Sequence, residues 1–227
     1  MPKLSIIIPA FNEQSTIARI LQQVLDVPLP AWDKEIIVIN DGSTDGTGTA
    51  LTAFLSKIIY LENSTNQGKG TAIRLALERV SGDAVIIQDA DLEYHPKELP
   101  AMISELEISG ADIIYGSRNL KPRRRGYRHY VLGVWVLTKL INILYDARLT
   151  DVYTGYKLFR TSPLKHLDLS SSGFEIEAEL TLKALKNGYQ IIEVPIDYFP
   201  RSFAQGKKIG IWDWLIGIYT IFKDYLH

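Results

Sequence analysis

Asp89, Asp91 and Glu93 stand two residues apart where a short apolar run, Ala84-Val85-Ile86-Ile87-Gln88, ends. Carboxylates beside an apolar strand are costly to hold unless something positive sits with them. On an extended chain, alternation points all three the same way, where they could share one hard cation such as Mg2+ or Mn2+. Mg2+ typically takes one or two protein carboxylates and completes its shell with water and substrate phosphates, so a nucleotide diphosphate is the natural third party. The plainer reading is that Asp89 and Asp91 end a strand and cap a turn.

The elements that must position these groups follow from apolar spacing. Leu4 to Ile8, Glu35 to Asn40, Ile58 to Leu61, Ala84 to Gln88 and Asp112 to Ser117 read as strands. Helical spacing covers Gln14 to Leu25, Thr47 to Leu55, Lys69 to Val80 and Glu98 to Ser109. Strands without polar faces that alternate with helices predict an α/β fold, a mostly parallel sheet flanked by helices. Ligands of such open sheets bind beyond the carboxyl ends of the strands. Three of those ends carry chemistry: Pro9-Ala10-Phe11-Asn12-Glu13, Asn40-Asp41-Gly42-Ser43 and Asp89-Ala90-Asp91. Each alone could be loop punctuation. Their coincidence on one edge favours a site.

The 227 residues suit one large domain, and an apolar share of 46% supports a real core. A net charge of -1 gives no reason to expect nucleic acid. No cysteine is present, which removes disulfide and thiolate chemistry and suits a reducing compartment. The opening Met1-Pro2-Lys3-Leu4-Ser5 lacks a signal-peptide core, and no apolar run approaches the roughly 20 residues that cross a bilayer. The expectation is a cytoplasmic protein, soluble or peripheral at the inner face of a membrane. The four histidines are scattered without metal-ligand spacing and read as structural or surface residues.

The ordered motifs Ile8-Pro9-Ala10-Phe11-Asn12-Glu13, Asn40-Asp41-Gly42-Ser43-Thr44-Asp45, Asn66-Gln67-Gly68-Lys69-Gly70, Asp89-Ala90-Asp91-Leu92-Glu93 and Gly116-Ser117-Arg118 resemble those of inverting family 2 glycosyltransferases of the GT-A fold. Within that family the chain is most similar to the dolichyl-phosphate mannose synthase branch and its bacterial polyprenyl-phosphate relatives. The likeness continues through Leu149-Thr150-Asp151, Gly155-Tyr156-Lys157-Leu158-Phe159-Arg160 and Pro200-Arg201 with Gly206-Lys207-Lys208, nearly the whole chain. It implies a single glycosyltransferase domain over residues 1-227, with a nucleotide-sugar half, 1-119, and an acceptor and membrane-facing half, 120-227.

By that resemblance Pro9, Phe11, Glu13 and Asp41 line a base and ribose pocket. Asp89, Ala90 and Asp91 meet ribose, diphosphate and metal, with Glu93 as a further metal ligand, and Arg118 reaches the donor phosphate. Asn40 stands where relatives usually carry aspartate, so it hydrogen-bonds but brings no charge to the base contacts. Lys69 either touches the diphosphate or is a solvated lysine at a helix start.

A basic run, Lys121 to His129, precedes an apolar helix, Val131 to Tyr145, whose Thr138, Lys139 and Asn142 make a narrow polar stripe. A second apolar helix, Ile211 to Leu226, aligns Asp213, Gly217, Thr220 and Asp224 and crowds Trp212, Trp214, Tyr219, Phe222 and Tyr225 on the rest. Apolar helices with basic approaches suit a lipid surface bearing phosphates. Ordinary core helices, a homodimer contact or docking to a separate membrane subunit explain the same pattern. Arg128, Arg201 and Lys207 are the candidates for an acceptor phosphate.

The reading is a metal-dependent inverting transfer of a sugar from a nucleotide diphosphate sugar, GDP-mannose or UDP-glucose, to a polyprenyl phosphate. The leaving diphosphate gains charge that a metal at Asp91 and the Arg118 guanidinium would offset. A lipid phosphate is already ionised at neutral pH and needs no protein base. A saccharide hydroxyl as acceptor would need one, and Asp151 or Glu175 would supply it. Two further rivals are a sugar nucleotidyltransferase, whose glycine-rich first loop is missing between Pro9 and Glu13, and a catalytically silent nucleotide-binding module that docks to membranes.

Overall fold

The computed structural model describes residues 1-121, 128-201 and 211-226. Strands β1 (Lys3–Ala10), β2 (Asp33–Asp41), β3 (Ile59–Asn63), β4 (Ala84–Ile87), β5 (Ile113–Ser117), β6 (Lys157–Arg160) and β7 (Ile191–Pro195) form one sheet. Its order is β3-β2-β1-β4-β6-β5-β7. The helices are α1 (Ile17–Asp26), α2 (Thr47–Leu51), α3 (Lys69–Leu77), α4 (Leu99–Ser109), α5 (Arg128–Tyr145), α6 (Thr161–His166), α7 (Ile176–Lys186) and α8 (Ile211–Leu226).

The apolar runs are continuous because the sheet is covered on both faces. Leu4, Ile6 and Ile8 of β1 point into one core with Ile36, Val38, Ala84 and Ile86, and there meet Ile17, Ile20, Leu21 and Val24 of α1 and Leu99, Met102 and Leu106 of α4. The alternate residues Ile7, Ile37, Ile39, Val85 and Ile87 point into the opposite core, against α3, α6 and α7. Burying each such isoleucine contributes about 2 kcal/mol over leaving it in water. A polar residue at any of these positions would lack a hydrogen-bond partner.

All strand pairs are parallel except those of β6, which runs antiparallel to both β4 and β5. Parallel strands bring their carboxyl ends to one rim, whereas an antiparallel strand brings its start there. The segment just before β6, Asp151 to Tyr156, therefore lies beside the residues that follow β4 and β5. That inversion joins the first half of the chain to the second at the site.

The two apolar helices sit the other way round from a polar-face-out arrangement. In α5, Leu137, Thr138 and Ile141 are buried, while Leu132, Trp135, Val136 and Ile143 are exposed. Val152 donates to the Thr138 hydroxyl, and Asn142 is bonded to both backbone groups of Leu149. In α8, Gly217 packs against Tyr153, Asp224 accepts from the Tyr145 hydroxyl at 2.9 Å, and Ile216, Tyr219, Phe222 and Leu226 face out. Thr138, Asn142, Gly217 and Asp224 thus pack on protein beside Leu137, Ile141 and Ile221, while Lys139 and a second set of apolar side chains stand in solvent. Among the described residues no helix is long and apolar enough to cross a membrane.

Candidate active site

The loop after β1 and the loop after β2 are tied together by Asn12. Its backbone N–H donates to Ser43 Oγ at 3.0 Å and its Oδ1 accepts from Thr44 N–H at 2.8 Å. Pro9 and Phe11 are half-buried at this end of β1. Asn40 is buried and committed to the fold: its amide donates to Tyr60 and to Glu62 (2.9 Å), its β-ladder partner on β3, and its Oδ1 accepts from Ser43 N–H. The expected base contact through Asn40 is thus corrected, because both amide hydrogens are already used. Asp41 is likewise occupied. It accepts from Asn63 (2.7 Å) and from the backbone N–H groups of Gln67 (3.0 Å) and Gly68 (2.8 Å), so it shapes the loop that delivers Lys69.

Gly68 has φ +89°, and a Cβ there would lie 2.4 Å from the Ser172 carbonyl oxygen. Strain and overlap add, so Gly68→Ala is expected to cost about 2–4 kcal/mol, measured as a lower urea midpoint at unchanged m-value.

β4 ends at Ile87, and Leu92 takes φ +63°, so the acidic stretch is a turn and not an extended strand. The three carboxylates diverge accordingly. Asp89 pairs with Lys69 at 2.6 Å, and Asp91 pairs with Arg201 at 3.0 Å. Glu93 accepts from the Tyr198 hydroxyl (2.7 Å) and the Arg201 backbone N–H (2.8 Å). The shared triple does not form, and among the described residues no group of three His, Cys, Asp or Glu could hold a metal ion. The Ala90 side chain is buried in the core, which leaves only its backbone for a ligand.

Asp89 and Asp91 by themselves still fit a divalent cation. Burial, then the charges of Asp89 and Glu93, push Asp91 up to about 7 in spite of Arg201. Burial raises Asp89 too, against the pull of Lys69. Two carboxylates whose charged forms are disfavoured would suit a hard ion that takes its remaining ligands from phosphate and water.

Lys69 is not solvated. Its side chain is 10% exposed and its Nζ also lies 2.9 Å from Glu177 Oε1. Burial acts to lower its pKa, but the charges of Asp89 and Glu177 outweigh that and hold it up. Glu13 is buried and grips Arg201 through both oxygens, at 3.0 and 3.2 Å, so Arg201 spans the loops after β1 and β4.

Arg118 follows β5 and meets the fully buried Asp151. Its Nε and Nη2 each donate at 2.7 Å, its backbone N–H donates at 3.0 Å, and its guanidinium lies 5.1 Å from the Tyr198 ring centroid. Asp151 is the anchor of that arginine, which corrects its expected role as a base. Glu175, the other base candidate, accepts from Ser172 and Gly173 N–H in its own turn. Of the acceptor candidates, Arg201 stands at the rim, only the backbone of Arg128 is described, and Lys207 lies outside the described residues.

Sequence reasoning quoted Gly155 and Lys157 only within a family motif and gave no role to them, to Tyr94 or to Glu177. Tyr94 is buried, stacks 5.4 Å from Tyr156 and accepts from the Gly155 N–H at 3.2 Å; a Cβ on Gly155 would lie 2.5 Å from Asp89 Oδ2. The signal for Lys157 was its place at the head of Leu158-Phe159: a buried lysine there demands a carboxylate partner.

Residues 5-168 match the family model described as Glycosyl transferase family 2. The low-salt glycan biosynthesis hexosyltransferase Agl6 of Haloferax volcanii is 32% identical over 207 residues, which are 88% of this chain and 49% of that protein. The dolichol-phosphate mannosyltransferase of Pyrococcus furiosus is 26% identical over 229 residues, 97% of this chain and 64% of that protein. The chain thus spans about half and 64% of these relatives' lengths. Glucosyl-3-phosphoglycerate synthase from Mycobacterium tuberculosis, solved with Mn2+, UDP and glucosyl-3-phosphoglycerate, superposes with a TM-score of 0.76 at 20% identity, over 98% of this chain and 80% of that one. The mostly parallel sheet expected of a GT-A fold is borne out by that likeness. With this match over most of its length, the chain belongs to glycosyl transferase family 2.

Proposed function

We propose that the protein is a metal-dependent inverting glycosyltransferase. It moves mannose or glucose from GDP-mannose or UDP-glucose to a polyprenyl phosphate at the cytoplasmic face of a membrane. The observation that carries this reading is the rim where Asp89 and Asp91 meet Lys69 and Arg201, four charges from three segments, the turn after β4, the start of α3 and the stretch after β7. Mg2+ or Mn2+ bound by Asp89 and Asp91 would offset the charge that grows on the departing diphosphate. Lys69 adds a fixed positive charge beside them, and Arg118, clamped by Asp151, presents a second that needs no reorganisation.

The acceptor follows from the bases. Asp151 is buried and taken by Arg118, and Glu175 is folded onto its own turn, so neither is poised to deprotonate a hydroxyl. A phosphomonoester has a second pKa of about 6 and arrives ionised. The exposed apolar faces of α5 and α8 supply a surface that could rest in the headgroup region. A relative named for dolichol phosphate agrees with this choice.

The test is incubation of radiolabelled GDP-mannose and UDP-glucose, each with dolichyl or undecaprenyl phosphate and MnCl2. Butanol-extractable label that disappears with EDTA is expected. Label confined to water-soluble saccharide would favour a hydroxyl acceptor, and no transfer from either donor would defeat the proposed donor and lipid acceptor.

A further inference from the structure

Four charges alternate along a line that runs from the rim into the core: Asp89, Lys69, Glu177 and Lys157. Lys69 Nζ lies 2.6 Å from Asp89 Oδ1 and 2.9 Å from Glu177 Oε1. The second Glu177 oxygen accepts from Lys157 Nζ. Lys157 is fully buried in β6 and also donates to the carbonyls of Thr154 (2.7 Å) and Glu177 (3.3 Å). An ammonium has three hydrogens, and all three of these are used inside the protein. Lys157 therefore cannot reach a ligand; it fixes Glu177.

We propose that Glu177 and Lys157 are positioning residues that hold the Lys69 ammonium at the rim for the diphosphate of a sugar nucleotide. The inference rests on the reading of that rim as a donor site. Lys69 has a long flexible stem, and Asp89 alone would hold it only with a charge that an incoming cation must share. Glu177 supplies a second carboxylate set back from the rim, so Lys69 keeps its place and its charge when Asp89 turns to another partner. Lys157 balances Glu177, which lets that carboxylate stay buried without drawing Lys69 inward. A purely structural Lys157–Glu177 pair would be neutral without the 2.9 Å contact to Lys69.

The test uses GDP and UDP, each titrated with MnCl2 into the full chain, alongside thermal melting. Glu177→Gln leaves Lys157 without its carboxylate and is expected to lower the melting temperature. The pair Glu177→Gln with Lys157→Met removes both charges and is expected to restore it. That double variant should nevertheless bind the preferred nucleotide about tenfold or more weakly, the usual scale for losing an aligned charge-assisted contact. Lys69→Met should weaken binding alike and add nothing further in the double background. Glu177→Asp keeps every charge but shortens the reach, so it should fold normally and still bind more weakly. Wild-type affinity in either folded variant, the double or Glu177→Asp, would overturn the positioning role. A wild-type chain that binds neither nucleotide would overturn the donor site itself, before any variant is compared.

Discussion

Asp91→Asn is expected to lower kcat/KM for sugar transfer by about a thousandfold or more, while leaving the metal-free protein as stable as the wild type or slightly more so. Removing one preorganised group that faces developing charge costs about 10²–10³ in rate, and on the proposed reading Asp91 would also be a metal oxygen ligand, whose loss adds to that. A thousandfold is about 4 kcal/mol of transition-state stabilisation. Stability moves the other way because Asp91 sits in a crowd of like charge. Burial and the neighbouring Asp89 and Glu93 outweigh Arg201 in setting its upward shift. A neutral residue of the same shape relieves that repulsion. Sites that do chemistry commonly carry such destabilising charge. Steady-state kinetics with saturating Mn2+ and guanidinium unfolding without metal measure the two effects separately. Activity within tenfold of wild type would remove Asp91 from the chemistry.

The second large effect is on folding. Asp151→Ala is expected to cost about 3–5 kcal/mol, because it strips a buried guanidinium of its bidentate partner while the charge stays behind. Arg118 keeps 20% of its side chain exposed and can recover some water, which places the expected loss toward the lower figure. For 227 residues a loss of 3 kcal/mol corresponds to a fall in Tm of about 6 °C. The Arg118→Met, Asp151→Leu double variant should be more stable than Asp151→Ala alone, since an apolar pair leaves no unpaired charge. Denaturant unfolding of both gives the comparison; equal losses would show that the two residues do not act as a pair.

The first half of the fold was legible because its strands are buried on both faces. Leu4 to Ile8 and Glu35 to Asn40 are built on the apolar runs Ile6-Ile7-Ile8 and Ile36-Ile37-Val38-Ile39, and the observed strands extend each by only a few residues. β6 and β7 escaped notice for the opposite reason. β6 has four residues, two of them cationic, and β7 is only partly buried, so neither shows a run or an alternation. Helix α7 hid as well, since its buried residues include Glu177 and Glu179, which read as a polar face until Lys157 and the Ser170–Ser171 backbone are seen to receive them. At the site, residue types were readable and directions were not. A strand-like alternation for Asp89, Asp91 and Glu93 failed because the left-handed Leu92 turns Glu93 toward Tyr198. The choice for Lys69 between a diphosphate contact and a solvated helix start stayed open because its second carboxylate, Glu177, comes from 108 positions later in the chain.

The reversed β6 lies between β4 and β5, inside the sheet and not at its margin. A recombinant fragment cut after Asn119, the end of the half expected from the resemblance to hold the nucleotide sugar, would keep β4 and β5 but lose the strand that joins them. Both would then present raw backbone donors and acceptors along what had been interior sheet, ready to recruit the same strands from other copies. Such a truncation would give aggregates in place of a portable binding module, so the catalytic unit is indivisible at that boundary.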